Sequence, residues 1–311
     1  MFEMKSQSQP LRIESNRYFS FGTSKTSKAA LWFVNNRKLE QNILAYLAKY
    51  QEKYNVTLYA FVMQGNHYHL LAKFNDCNRA AFYRDFNARI AELVRKFAPG
   101  FEEGALFSRR YSEQAIPLNE DVEERFFYCA LQPVLAGLCK KISEYPGYNS
   151  CFDAIQEVER KFTVTDWAKF NSYKRFNKQV NIEDFQTVHT LKFSRLPGSE
   201  SLSRKEYRNL LFSKLEEKRK SVVSRIKTFL GPEKLKRVRP GERPKKTKKS
   251  HRFSHRPLVL TGCRQAKKQF LEWYFATYAS FKKATVKYLL GENGTAFPPR
   301  TYKPPLVMVP S

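Results

Sequence analysis

The sequence predicts an α+β chain in which helices pack on one antiparallel sheet, followed by a basic, mainly helical C-terminal extension. Three observations lead there. Segments rich in aromatic and β-branched residues at period two are interleaved with segments whose apolar residues recur at helical spacing. In the first half of the chain they follow the order β-α-β-β-α-β-α, which suits a single antiparallel sheet covered by helices. Beyond about residue 150 the periodicity weakens and lysine and arginine accumulate. At 311 residues the chain exceeds the usual single domain, so two parts are expected, 16–152 and 153–311.

Each element has its own signal. RYFSFGTSK (17–25) alternates aromatic and polar residues as a strand does, and NRKLEQNILAYLAKYQEKY (36–54) sets apolar residues at 39, 43, 47, 50 and 54, a helical stripe. VTLYAFVMQ (56–64) and HYHLLAKF (67–74) read as strands, and Gly65-Asn66 between them is a hairpin-turn dipeptide, which makes the two antiparallel neighbours. NRAAFYRDFNARIAELVRKFA (78–98) carries a stripe of Phe82, Phe86, Ile90, Leu93 and Phe97, closed by Pro99-Gly100. A fourth strand is expected over ALFSRRYSEQAIPL (105–118), and a helix from Asp121, with Glu124 in the capping-box position, to about Cys139. Further on, FTVTDWAKFNSY and QTVHTLKFSRLP read as short strands or loops, and 203–231 as a basic helix. Segment 232–256 is too rich in Lys, Arg and Pro to bury a core and is expected to be an exposed, flexible linker. An amphipathic helix is expected over 264–290 and an extended tail over FPPRTYKPPLVMVP. No internal repeat is visible.

The chain has 56 Lys+Arg against 29 Asp+Glu, a formal charge of +27, which calls for a polyanionic partner. Nucleic acid is the first candidate and a membrane surface the competing one. No run approaches the ~18 apolar residues of a spanning helix, and MFEMKSQSQP lacks the apolar core of a signal peptide. A cytoplasmic protein without a membrane partner is therefore expected. Cys77, Cys129, Cys139, Cys151 and Cys263 are scattered with no CxxC pair, which argues against a disulfide framework or zinc ribbon and for plain thiols.

Within FVMQGNHYHLLAKF (61–74), His67 and His69 leave a strand on one face and Tyr68 on the other. Two readings stand: imidazoles hydrogen-bonded at a sheet surface, or part of a metal shell that needs a third ligand and open positions. On the helix after the fourth strand, Phe127, Ala130, Leu131, Val134 and Leu138 form the core stripe. Tyr128 and Gln132, four apart, sit side by side at its edge, either as ordinary boundary residues or as a phenol and a carboxamide serving a site. Pro133 removes a backbone donor there and predicts a kink. Arg109, Arg110 and Tyr111 suit phosphate neutralisation and base stacking, or else blunt an edge strand. Lys245, Lys246, Lys248 and Lys249 belong to a phosphate-binding arm or to a solvated linker. His189, His251 and His255 have no partner cluster, and Cys129 points about 100° away from Tyr128 on the helix.

Together NHYHLL, the RRYS of 109–112, and YCALQPVLAGLC followed by EYPGYNS resemble the HUH single-tyrosine transposases, which include insertion-sequence and REP-associated tyrosine transposases. The resemblance spans about 16–152. It implies a ferredoxin-like antiparallel sheet, with Tyr128, Gln132 and Pro133 matching the family's Tyr-x-x-x-Asn/Gln-Pro segment. Gln stands where many members carry Asn, and Tyr68 takes the bulky hydrophobic place between the histidines. By resemblance, His67, His69 and Gln132 hold Mg2+ or Mn2+ against a scissile phosphate. Tyr128 attacks to give a 5′-phosphotyrosine and a free 3′-OH, and a second strand's 3′-OH reverses the step. The implied substrate is single-stranded, hairpin-bearing DNA, the implied location nucleoid-associated if the source is bacterial, and the implied assembly a homodimer or a monomer. A domesticated, non-catalytic protein that recognises folded DNA or RNA is the alternative. A replication initiator or relaxase would share the nicking chemistry but usually brings a helicase or a different element order, neither visible here.

Overall fold

In a computed structural model, which describes residues 10–102, 104–176, 179–244, 258–292 and 294–304, four strands form a sheet: β1 (Phe19–Lys25), β2 (Val56–Gln64), β3 (His67–Phe74) and β4 (Ser112–Ile116). Their order is β2-β3-β1-β4, and every neighbouring pair is antiparallel. Helix α1 (Arg37–Lys53) joins β1 to β2, and α2 (Arg79–Phe97) joins β3 to β4. Both cover one face. The expected stripe of α1, Leu39, Ile43, Leu47, Tyr50 and Tyr54, is buried throughout, and Phe86 of α2 packs on Phe61 and Tyr68 from the sheet. Helix α3 (Asn119–Ala130) crosses β2 and β3 on the opposite face. The protein is thus mixed α+β with a four-stranded antiparallel sheet.

The two sheet-covering helices start by different means. Asn36 caps α1 by accepting the N–H of Leu39 at 3.0 Å. At α2 the adjacent Asn78 makes no such bond. Instead Glu14, from the segment before β1, accepts the N–H groups of Arg79 (3.1 Å) and Ala80 (2.8 Å), satisfying donors that a helix start leaves orphaned. The buried Arg79 guanidinium lies 2.5 Å from Glu113 on β4, so this cap is also an ion cluster across the sheet edge.

Several helix and strand boundaries differ from expectation. β4 covers Ser112–Ile116 rather than 105–118, so Arg109, Arg110 and Tyr111 precede the strand. Tyr111 is drawn instead into a stack, with the Tyr83 ring and the Arg12 guanidinium each 3.8 Å from its ring. Helix α3 begins at Asn119, with no side-chain cap. Asp121 lies inside its first turn and accepts the N–H of Gly262 at 3.2 Å. Nor does that helix continue to Cys139. It stops at Ala130 and resumes as α4 (Gln132–Leu135), because Pro133 has no N–H to continue the ladder and Gly137 turns the chain at φ 67°.

The chain beyond 152 packs against the same core. Helix α5 (Cys151–Gln156) leads to a two-stranded antiparallel sheet of β5 (Arg160–Thr165) and β6 (Gln186–Leu191), with α6 (Trp167–Phe176) between them in sequence. That sheet packs on α1. Helix α7 (Arg204–Val223), shorter than the expected 203–231, lies against α4 and α5, and its Tyr207, Leu211 and Leu215 join the buried cluster of the main sheet. The first part of the supposed linker is docked. It contains α8 (Pro232–Arg237), whose Leu235 is buried, and the Asn35 amide donates to the carbonyls of Leu235 (2.8 Å) and Val238 (2.8 Å). Lys245, Lys246, Lys248, Lys249, His251 and His255 lie outside the described residues. Helix α9 (Arg264–Leu289) buries Phe270 and Tyr274 against Ile13, Tyr18 and Val259. Beside it, residues 258–260 extend the β4 edge through Ala115.

Cys129, Cys139 and Cys151 are buried, Cys263 is exposed, and none is in a disulfide. Among the described residues no helix is long and apolar enough to cross a membrane.

Gly22 in β1 is a tight point in this packing, since a Cβ there would lie 1.7 Å from the Tyr83 hydroxyl oxygen. Substituting Gly22→Ala must push Tyr83 off Tyr111, and we expect a loss of about 1–3 kcal/mol in the unfolding free energy from urea denaturation. A loss below about 0.5 kcal/mol would mean that the ring yields freely.

Candidate active site

The histidine pair owes its direction to Tyr68. That side chain is fully buried among Phe61 and Phe86, and its hydroxyl donates to Asn87 Oδ1 (2.6 Å) and accepts from Ser24 (3.1 Å). Burial accordingly pushes its pKa well up. With Tyr68 committed to the helix-covered face, alternation sends His67 and His69 to the other. Their rings meet edge to face, centroids 4.8 Å apart.

Each imidazole is held from behind. His69 is buried, stacks on Phe21 at 5.2 Å, and shares a 2.8 Å hydrogen bond between its Nδ1 and Thr23 Oγ1. Its neighbours Phe21 and Thr23 come from β1, whose register sets Thr23 directly opposite His69. His67 Nδ1 lies 2.7 Å from Asn66 Oδ1. The amide orientation of Asn66 follows from its other end, where Nδ2 donates to the Ala29 carbonyl at 3.1 Å, a group that only accepts. The oxygen therefore faces His67, so Nδ1 carries the proton and Nε2 is the lone-pair nitrogen of the neutral ring.

The turn that presents His67 works differently from the expected glycine turn. Gly65 and Asn66 do connect β2 to β3, but neither adopts positive φ. Close approach favours glycine, because a Cβ on Gly65 would come within 2.8 Å of a Leu31 methyl and 2.9 Å of a Val34 methyl, which would have to move. The loop around 26–34 grips the turn further through Thr26 N–H to the Asn66 carbonyl (2.8 Å) and Phe33 N–H to the Gly65 carbonyl (3.0 Å).

Helix α3 brings Tyr128 to this face. Its ring sits edge-on to His69 (6.0 Å) and Phe21 (5.7 Å), and it is 37% exposed, so a phenol stands beside the imidazoles and still reaches solvent. The Arg125 guanidinium, one turn earlier, lies 5.2 Å from the Tyr128 ring centre. Gln132, buried on α4, donates its Nε2 to the Tyr128 carbonyl at 3.3 Å, which leaves its amide oxygen as the group able to serve as a ligand. Among the described residues no three His, Cys, Asp or Glu side chains gather as a metal site. Two imidazoles supply part of the shell of a divalent cation, and a carboxamide oxygen such as that of Gln132 is the kind of third donor that would leave open positions.

Of the remaining expected binding residues, Arg109 and Arg110 are exposed, whereas Tyr111 is 6% exposed with both ring faces covered and offers no platform for a base. His189 pairs with Glu52 at 2.6 Å, far from the pair in the main sheet. Sequence reasoning missed Phe21, Thr23, Asn66 and Arg125. Asn66 adjoins His67 and Arg125 lies one turn before Tyr128, so both had a local signal. Phe21 and Thr23 needed the register of β1.

The chain matches no protein-family model and no curated protein. Among solved structures that align with it is a REP-associated tyrosine transposase bound to a REP hairpin, at 16% identity and TM-score 0.39, covering 46% of this chain and 82% of that one. Another is the tRNA(His) guanylyltransferase from Saccharomyces cerevisiae, at 9% identity and TM-score 0.33, covering 69% and 85%. At such TM-scores neither alignment carries an argument about this chain, so its function is argued from its own residues.

The Asn66 contact makes one direct prediction. Imidazole 15N shifts above the His67 titration should show the Nδ1–H tautomer in the wild type, and Asn66→Ala should admit the Nε2–H form. An unchanged tautomer in the variant would show that Asn66 does not set it.

Proposed function

We propose that the protein is a single-tyrosine DNA nuclease and strand transferase of the HUH transposase type. What supports this reading is the meeting of His67, His69 and Tyr128 on one sheet face, with Gln132 tied to Tyr128. The sheet order β2-β3-β1-β4 within β-α-β-β-α-β agrees with a ferredoxin-like unit over 16–152, against which described elements of 153–311 pack. The charge of +27 suits a DNA substrate.

In this reading His67 Nε2, a ring nitrogen of His69 and the Gln132 amide oxygen hold Mg2+ or Mn2+, which when bound polarises the scissile phosphate and offsets its developing charge. Tyr128 Oη attacks the phosphorus, the P–O3′ bond breaks, and the 3′ oxygen leaves to become a 3′-OH. The phenolic proton must go to solvent or to a base. Asn66, Thr23 and Phe21 keep the imidazoles in their ligating orientation. The phosphotyrosine conserves the phosphodiester's energy, so a second 3′-OH reverses the step without ATP. The substrate is single-stranded DNA that carries hairpins, and the protein acts as a monomer or a homodimer.

Incubation with labelled, hairpin-bearing single-stranded DNA and Mn2+ should give a denaturation-resistant protein–DNA adduct that Tyr128→Phe abolishes. His67→Ala should lose the adduct and keep measurable but weaker DNA binding, since the basic surface also contributes. If wild type and Tyr128→Phe behave alike, the enzyme reading fails and a non-catalytic nucleic-acid-binding protein is the better account. Asn66→Ala should weaken Mn2+ binding by about 10–100-fold in calorimetry, the usual cost of removing a partner behind a metal-ligating histidine. Undiminished affinity there would count against His67 as a ligand.

A further inference from the structure

One buried group on the site face is left without a role by this mechanism. Gln64, the last residue of β2, is 5% exposed, and its Nε2 has no hydrogen-bond partner. Leaving a buried amide donor unmade costs its full desolvation, so an unpaired one at a sheet end invites a functional reason. Its place supplies one. Gln64 is directly opposite His67 in the β2–β3 pairing, and Lys25 is directly opposite His67 in the β1–β3 pairing. Directly paired residues share a face, so Gln64, His67 and Lys25 form one cross-strand row with the imidazole in the middle. The next row holds Val62, His69, Thr23 and Ser112. Lys25 is exposed, so an ammonium and an unmet amide donor belong to the residues on either side of the imidazole in that row.

We propose that Gln64 and Lys25 bind the non-bridging oxygens of the phosphodiester that sits at the histidine pair, Gln64 through its Nε2–H and Lys25 through its charge. This rests on the reading of His67 and His69 as the phosphate site. A neutral donor and a cation on either side of the row fix the phosphate's orientation toward Tyr128 and neutralise part of its charge. An amide suits the buried side of the row, where a charge would be costly to desolvate, and the lysine occupies the solvent side.

The test uses the full chain carrying Tyr128→Phe, so that only binding is read, with fluorescence anisotropy of a labelled hairpin-bearing single strand over a range of salt. Adding Gln64→Met, which keeps the volume and removes the donor, should weaken binding by about tenfold and leave the salt dependence unchanged. Adding Lys25→Ala should weaken binding and reduce the salt slope by about 0.7, one phosphate contact on a single strand. The melting temperature of Gln64→Met should hold or rise, because an unmet buried donor is gone. Mn2+ affinity without DNA should stay as it was. Unchanged DNA affinity in Gln64→Met overturns the proposal. So does a loss of binding accompanied by a lower melting temperature, which marks a structural role, or by weaker Mn2+ binding, which makes Gln64 a metal ligand. The joint variant His67→Ala/His69→Ala separates the two readings. If it binds as well as its parent, the histidine pair is not the phosphate site. If it binds poorly while Gln64→Met binds normally, only the role of Gln64 is lost.

Discussion

The arrangement depends on the burial of one phenol. Tyr68 is the only residue between the two histidines, and its fully buried ring, hydrogen-bonded to Ser24 and Asn87, fixes which way β3 faces. A register slip of one residue would put an imidazole into the Phe61–Phe86 cluster and the phenol on the open face. The penalty for burying a polar imidazole there, together with the loss of a large aromatic from the core, makes the orientation of the pair a consequence of core packing. The site borrows its rigidity from the hydrophobic face behind it.

A second set of constraints comes from the loop before α1. Residues 26–34 hold the Gly65-Asn66 turn by backbone hydrogen bonds and by the Ala29 contact to Asn66, and the same loop is bound from its far side by the 235–242 segment through Asn35 and Leu31. The chain beyond 152 thus buttresses the turn that carries His67. Long-range docking of this kind offsets the entropy of ordering a charged segment that its own composition would leave loose. On the other side of the site, the break between α3 and α4 permits the Gln132 amide to bond back to the Tyr128 carbonyl, which anchors the amide beside the residue that carries the phenol.

The strands and sheet-covering helices were legible because their signals are local. Period-two alternation in 56–64 and 67–74 and the stripes of α1 and α2 report burial on one face, and burial drives their formation. Boundaries were less legible where a distant group intervenes. β4 shrank because Tyr111 stacks with Tyr83 and Arg12, and the start of α3 moved because Asp121 serves Gly262. Segment 232–244 read as linker because composition measures what a segment buries by itself, and Leu235 finds its cover elsewhere. Of the candidate site, the spacing of His67 with His69 and of Tyr128 with Gln132 marked two pairs of side chains, and only the resemblance joined them into one site. Their supports Thr23 and Phe21, and the unpaired amide of Gln64, did not stand out, since each matters only through cross-strand register.

By itself the sequence determined the secondary elements of the first half, the excess of positive charge, and the facing of the histidine pair, because all three follow from residue type and from periodicities built into the backbone. Only the tertiary structure decided which nitrogen of His67 holds the lone pair, which rings clamp His69, and that Gln64 and Lys25 stand on either side of His67. These depend on pairings between residues far apart in the chain, and those pairings are set by the packing of the whole sheet and leave no trace in the spacing of any one segment.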